Sequence, residues 1–178
     1  MLPNKNNNKI KIQKFPEQRV GVFVDVQNMY HSARNIHNSR VNFKEVLKEA
    51  TAGRKLVTAV AYVITSPTKE EAGFFEALDA VGFKIKTKDL QIFPGGAKKA
   101  DWDVGLAIDA IKLSNKVDAV VIVSGDGDYI PLVEYLQHNG IQVEAIAFGE
   151  SSSKNLVEKV DDFTDLSKDK RRYLMKIK

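Results

Sequence analysis

The stretch Ser124-Gly125-Asp126-Gly127-Asp128-Tyr129 follows the apolar run Asp118-Ala119-Val120-Val121-Ile122-Val123. That run reads as a buried strand, so it ends in two acids separated by one glycine. In extended backbone, residues i and i+2 point to the same side. Two carboxylates there repel each other unless a proton or a cation intervenes. A hard cation, Mg²⁺ or Mn²⁺, resolves the conflict with oxygen ligands. A plain turn is the competing account, because Gly and Asp are common turn residues.

A second short apolar run, Val20-Gly21-Val22-Phe23-Val24, ends in Asp25-Val26-Gln27-Asn28. Asn28 begins an expected helix that continues to His37. Its chemistry suits an N-cap, and it suits equally the orientation of a water or of Asp25. Ligands of an open parallel sheet bind outside the carboxyl ends of the strands. Asp25, Asp126 and Asp128 all fall at such ends. A third group, Lys98-Lys99-Ala100-Asp101-Trp102-Asp103, precedes a strong helical run from Val104 to Leu113. Acids in a first turn suit the helix dipole, yet this turn also starts at the carboxyl edge. Asp109 lies about 9 Å further along the axis than Asp103 and reads as a salt-bridge or interface residue. Helical spacing does not decide between Asp101 and Asp103.

These residues resemble the NYN domain family, its LabA-like branch, within the PIN-like nuclease superfamily. The resemblance rests on strand–Asp25–x–x–Asn28, on Asp103-Val104-x-Leu106-x-x-Asp109, and on Ser124-Gly125-Asp126-Gly127-Asp128-Tyr129-x-Pro131-Leu132-Val133. Asp161-Asp162-Phe163-x-x-Leu166 is similar to the family's C-terminal pattern. The likeness runs from about Val20 to Leu166. It implies a Rossmann-like sheet, a divalent metal and ribonuclease activity. It carries over Asp25, Asp103, Asp126 and Asp128 as metal-site acids, with Asn28 beside them. Asp101 is an extra acid near the pattern. Ser124, Lys98 and Lys99 are the expected substrate contacts next to them.

Length and composition agree with one domain of 178 residues. Without cysteine there is no disulfide framework, thiol nucleophile or Cys-type zinc site. His31, His37 and His138 lack the spacing of a zinc motif. No apolar stretch is long enough to span a bilayer, and the Asn- and Lys-rich start has no signal-peptide core. A cytoplasmic protein is expected. Residues 1–19 hold five basic residues against one acid, and residues 168–178 hold six against one. With a net charge of +4, the body between them is acidic. Basic ends suit a phosphate backbone, and they suit equally a pair of solubilising tails. The expected division is a basic tail at 1–18 without fixed structure, a domain at 19–167, and a basic extension at 168–178.

Strand and helix signals alternate, which predicts an α/β, Rossmann-like parallel sheet with helices on both faces. A helix is expected at 43–50, a buried strand at 56–64, and a helix from Pro67 to Ala80. Residues 83–88 alternate cleanly, so Lys84, Lys86 and Lys88 share one face. They protect an edge strand or form a phosphate track. Residues 94–99 read as a loop placed to touch substrate. Further elements are expected at 131–139, 141–148 and 155–160. The 103–113 helix is apolar on nearly all sides and needs cover from the C-terminal segment or from a second subunit, a homodimer.

The chemistry these residues suit is hydrolysis of RNA phosphodiesters with a divalent metal. Asp25 and Asp126 are expected as inner ligands, with Asp128 and Asp103 completing the shell. The alternative is a non-catalytic RNA- or nucleotide-binding regulatory module with a structural or vestigial metal site.

Overall fold

The computed structural model describes residues 12–65 and 71–177. The chain opens with β1 (Arg19–Asp25), α1 (Val26–His37), β2 (Ser39–Val41), α2 (Phe43–Thr51) and β3 (Lys55–Thr65). It continues through α3 (Glu71–Val81), β4 (Lys84–Asp89), β5 (Gln91–Ile92), β6 (Lys98–Lys99), α4 (Asp103–Leu113) and β7 (Ala119–Val123). The last part holds α5 (Ile130–His138), β8 (Gln142–Ala147), α6 (Lys154–Lys159), β9 (Asp162–Asp165), α7 (Lys170–Tyr173) and β10 (Leu174–Lys176). The expected start of the third helix at Pro67 and residues 1–11 of the expected tail at 1–18 lie outside the described residues, while within 12–18 Lys14 pairs with Glu144 (3.0 Å) and Asp162 (2.9 Å).

Six strands form one sheet in the order β4-β3-β1-β7-β8-β9, and every pairing in it is parallel. Counting only these six along the chain, the order is 3-2-1-4-5-6, the doubly wound Rossmann arrangement. The winding reverses between β1 and β7, and the crevice at their carboxyl ends is the switch point where such sheets bind ligands.

Alternation along the strands divides the core. Val20, Val22, Val24, Val121 and Val123 face one layer, where Met29, Val46, Leu78 and Leu166 pack. Phe23, Val60, Val120 and Ile122 face the other, under Leu106, Leu132, Val133, Leu136 and Leu156. Burial of β-branched side chains on both faces explains why β1 and β7 read as unbroken apolar runs.

Two expectations change. The C-terminal segment does not cover α4. Instead β10 pairs antiparallel with β2, and Tyr173 is buried in the opposite layer with α2. Arg172 there bridges Glu45 (2.8 Å) and Glu49 (2.9 Å). The loop at 94–99 is the turn of a small hairpin: β5 and β6 pair antiparallel, with Gln91 opposite Lys99. Sequence reading missed β9 altogether, because Asp162 and Asp165 at its ends mask its short apolar content.

Candidate metal centre

Asp25 is the last residue of β1 and the N-cap of α1. Its Oδ1 accepts the Asn28 N–H at 3.1 Å, so Asp25, not Asn28, caps the helix. Asn28 is thereby free to reach across the switch point. Its Oδ1 accepts the Gly125 N–H at 3.1 Å and ties α1 to the turn after β7. In that turn Ser124 is fully buried. Its Oγ accepts the Asp126 N–H at 3.2 Å and lies 3.5 Å from Asp25 Oδ2. Asp126 in turn accepts the Asp128 N–H at 3.0 Å and caps the short helical turn Gly127–Tyr129. Gly125 permits the close fit behind it: a Cβ there would lie 2.9 Å from the Ser152 Cα. The Ser153 N–H also donates to the Gly125 carbonyl, at 2.8 Å.

Asp103 reaches the same place from α4. No side chain caps that helix. Trp102 fixes its start by donating its indole N–H to the Val63 carbonyl at 3.0 Å. The Lys88 ammonium sits 4.6 Å from the indole ring centre and donates to the Asp101 carbonyl at 2.8 Å. Asp109 accepts from the Tyr62 hydroxyl at 2.7 Å and from Lys86 at 2.6 Å, which makes it the anchor of α4 on the sheet. β4 is indeed an edge strand, but Lys86 is held by Asp109 of α4 and Lys88 by the Asp101 carbonyl just before it, so the two do not form an open phosphate track.

Carboxylate oxygens of Asp103, Asp126 and Asp128 all lie within 4.8 Å of one another. Neither Asp25 nor Asp101 belongs to that group. Asp101 is exposed, and of the two candidate acids before α4 it is Asp103 that meets the others. Asp25 stands behind, joined to Asp103 through the hydroxyl of Tyr129, which lies 3.1 Å from an oxygen of each. Among the described residues no lysine, arginine or histidine pairs with any of these five acids. Of the two lysines expected to touch substrate, Lys99 is exposed on β6 just before this helix start.

The electrostatics follow from this crowding. Burial pushes the Asp25 carboxyl above its ordinary value, and the charges of Asp103 and Asp126 add to the rise. The Asn28 N–H and the Tyr129 hydroxyl oppose it. Asp103 is raised for the same reasons, burial first, with Asp126, Asp101 and Asp128 as the repelling neighbours. Tyr129, 1% exposed between two acids, is held far above its ordinary value and stays protonated. A phenol carries one proton. It can donate to Asp25 or to Asp103, so the second short contact calls for another proton or a cation. Sequence reading included Tyr129 in the motif Ser124–Tyr129 but gave it no role. Its signal was the apolar periodicity it shares with Leu132, Val133 and Leu136, which places it on the buried face.

The donor set fits a hard divalent ion: three carboxylates in mutual reach, with no sulfur and no imidazole in the group. Among the described residues no helix is long and apolar enough to cross a membrane. Comparison with known proteins gives a consistent picture. The NYN domain family model matches residues 19–167. The low amplitude and bright protein LabA of Synechococcus elongatus is 24% identical over 168 aligned residues, covering 86% of this chain and 86% of that protein. A solved structure of a protein of unknown function from Vibrio parahaemolyticus is 32% identical. It superposes with a TM-score of 0.82 over 92% of this chain and 100% of that one.

Proposed function

Since the chain belongs to the NYN domain family, in its LabA-like branch, we propose that it is a divalent-metal-dependent ribonuclease that hydrolyses RNA phosphodiester bonds. The observation that carries this reading is the group of three carboxylates at the switch point, without a cationic partner among the described residues. Asp103, Asp126 and Asp128 would hold Mg²⁺ or Mn²⁺. When bound, such an ion supplies a lowered pKa for water and neutralises charge on the phosphate.

The remaining residues do the positioning. Asn28 and Ser124 hold the backbone of the 125–128 turn, so that Asp126 and Asp128 keep their spacing. Tyr129 orients the Asp103 carboxylate from behind, as second-layer partners of metal ligands do. Asp25, with its raised pKa, is suited to hold a proton on Oδ2 beside the phenol. Asp101 and Lys99 are exposed just ahead of the helix that carries Asp103. Lys99 has the charge to meet a substrate phosphate that the acids alone would repel.

The test is incubation of labelled RNA with the protein in Mn²⁺, in Mg²⁺ and in chelator, with an Asp126→Asn protein beside it. Cleavage that needs the metal and disappears in Asp126→Asn supports the reading. Product ends with a 5′-phosphate and a 3′-hydroxyl exclude attack by the RNA's own 2′-hydroxyl. RNA binding without any cleavage would favour the regulatory module instead.

A further inference from the structure

The hairpin of β5 and β6 has a composition that the metal centre does not explain. Ile92 is 67% exposed and Phe93 46% exposed, in a short element that leads directly into the acidic helix start. The hairpin is fastened at both ends to the carboxyl edge of the sheet. On one side the Leu90 N–H donates to the Thr65 carbonyl of β3 at 3.2 Å. On the other, Lys88 holds the Asp101 carbonyl. Its turn is closed by the Phe93 N–H on the Ala97 carbonyl (2.8 Å) and the Gly96 N–H on the Phe93 carbonyl (3.0 Å). Gly95 and Gly96 both have positive φ, 98° and 85°, which only glycine adopts without strain. The tip is therefore a defined turn that presents Phe93.

The other aromatic beside the centre is not open to a ligand in the same way. Trp102 has its indole N–H on the Val63 carbonyl, and its ring lies between Lys88 and Tyr62. Lys99, by contrast, is exposed, and only Ala100, Asp101 and Trp102 separate it from Asp103. Fully extended chain spans at most about 14 Å over that stretch. An exposed ring and an exposed lysine thus stand on one hairpin that runs directly into the helix start bearing Asp103.

We propose that this hairpin grips unpaired nucleotides of the RNA substrate, with Phe93 stacking on a base and Lys99 meeting a backbone phosphate. The proposal rests on the ribonuclease reading above and adds to it the element that receives an unpaired strand. A stacking ring needs a base with a free face, and bases in an A-form duplex keep theirs within the stack. The acidic body of the protein gives a phosphate chain few other places to settle near the centre, so a lysine on the approach governs how the strand enters.

The experiment is fluorescence anisotropy with a labelled unstructured oligoribonucleotide and with the same strand annealed to its complement. It uses the full chain in an Asp126→Asn background, so that binding is read whether or not the protein cuts. Single strand is expected to bind at least tenfold tighter than duplex. Phe93→Ala should weaken single-strand binding about tenfold and remove that preference. Phe93→Leu should behave like the alanine variant and Phe93→Trp like the parent, because the ring face and not apolar bulk is what matters. Lys99→Gln should lower the salt slope by about 0.7, the value for one phosphate contact on a single strand. Unchanged single-strand affinity in Phe93→Ala would overturn the proposal. So would a change in molecular mass in solution with RNA affinity intact, which would make the exposed Ile92–Phe93 surface a protein contact. Loss of cleavage activity in the wild type with Phe93-dependent binding preserved would defeat only the ribonuclease reading.

Discussion

At the scale of single residues, the centre turns on one phenol. Tyr129 lies 3.1 Å from oxygens of both Asp25 and Asp103 and has one proton to give. Removing its hydroxyl in Tyr129→Phe leaves the two acids facing each other across apolar surface. Metal affinity is expected to fall by about 10–100-fold, the range for lost partners of ligand side chains. Isothermal titration with Mn²⁺ measures it. An unchanged dissociation constant would mean that Tyr129 only fills space. The same pair sets a pH dependence. Asp25 and Asp103 both have folded pKa values raised above 3.8. The native state therefore keeps protons that the unfolded chain has lost, and the unfolded state is favoured as pH rises through that window. Without metal, stability should decline from about pH 4 upward through the raised values. Saturating Mn²⁺ should reduce the decline, since the cation takes the place of the proton on Asp103. Denaturant melts at pH 5 and pH 8, with and without Mn²⁺, report both effects.

At the scale of elements, backbone fit decides whether the acids meet. The 125–128 turn is pressed against Ser152 and Ser153, and a Cβ at Gly125 would lie 2.9 Å from the Ser152 Cα and 3.0 Å from its Cβ. Gly125→Ala must push one of the two turns aside. A loss of roughly 1–3 kcal/mol is expected from such overpacking, along with weakened metal binding as Asp126 shifts. Melting curves with and without Mn²⁺ test this, and a variant with full metal response would show that the turn tolerates displacement.

Much of this arrangement was legible in the sequence. Apolar runs ending in acids located β1 and β7, and doubly wound topology then brought their ends together. What the sequence did not carry was tertiary. The cap on α1 passed from Asn28 to Asp25 because Gly125 offered Asn28 a partner 97 positions away. Lys86 and Lys88, alternating on an edge strand, found Asp109 and the Asp101 carbonyl across the fold. Period-two patterning tells which face a side chain takes and not what waits there.

At the scale of the whole molecule, the basic C-terminal run is part of the fold. Tyr173 is 4% exposed, and Glu49 holds both its hydroxyl, at 2.9 Å, and the Arg172 guanidinium. Burial and this carboxylate push the Tyr173 phenol up to about 12. Tyr173→Ala is expected to destabilise the protein by about 3–5 kcal/mol, as for other large aromatic side chains removed from cores. Thermal unfolding checks it. A loss well under 1 kcal/mol would mean that the arm rests on the body without supporting it. Charge substitutions at Arg171 or Lys176 are accordingly better probes of RNA contact than truncation at 168.

The central claim is that Asp103, Asp126 and Asp128 hold the ion that cuts RNA. Its most direct measurement is the cleavage rate of a labelled RNA across a Mn²⁺ titration, for wild type, Asp126→Asn and Asp118→Asn. Asp118 is an acid at the opposite edge of the sheet, paired with Arg19 at 2.8 Å, and serves as the charge-matched control. Wild type and Asp118→Asn should show the same saturable, metal-dependent rate, and Asp126→Asn should fall by at least 100-fold at every concentration. Equal rates in wild type and Asp126→Asn, or no cleavage by wild type at saturating metal, would contradict the account.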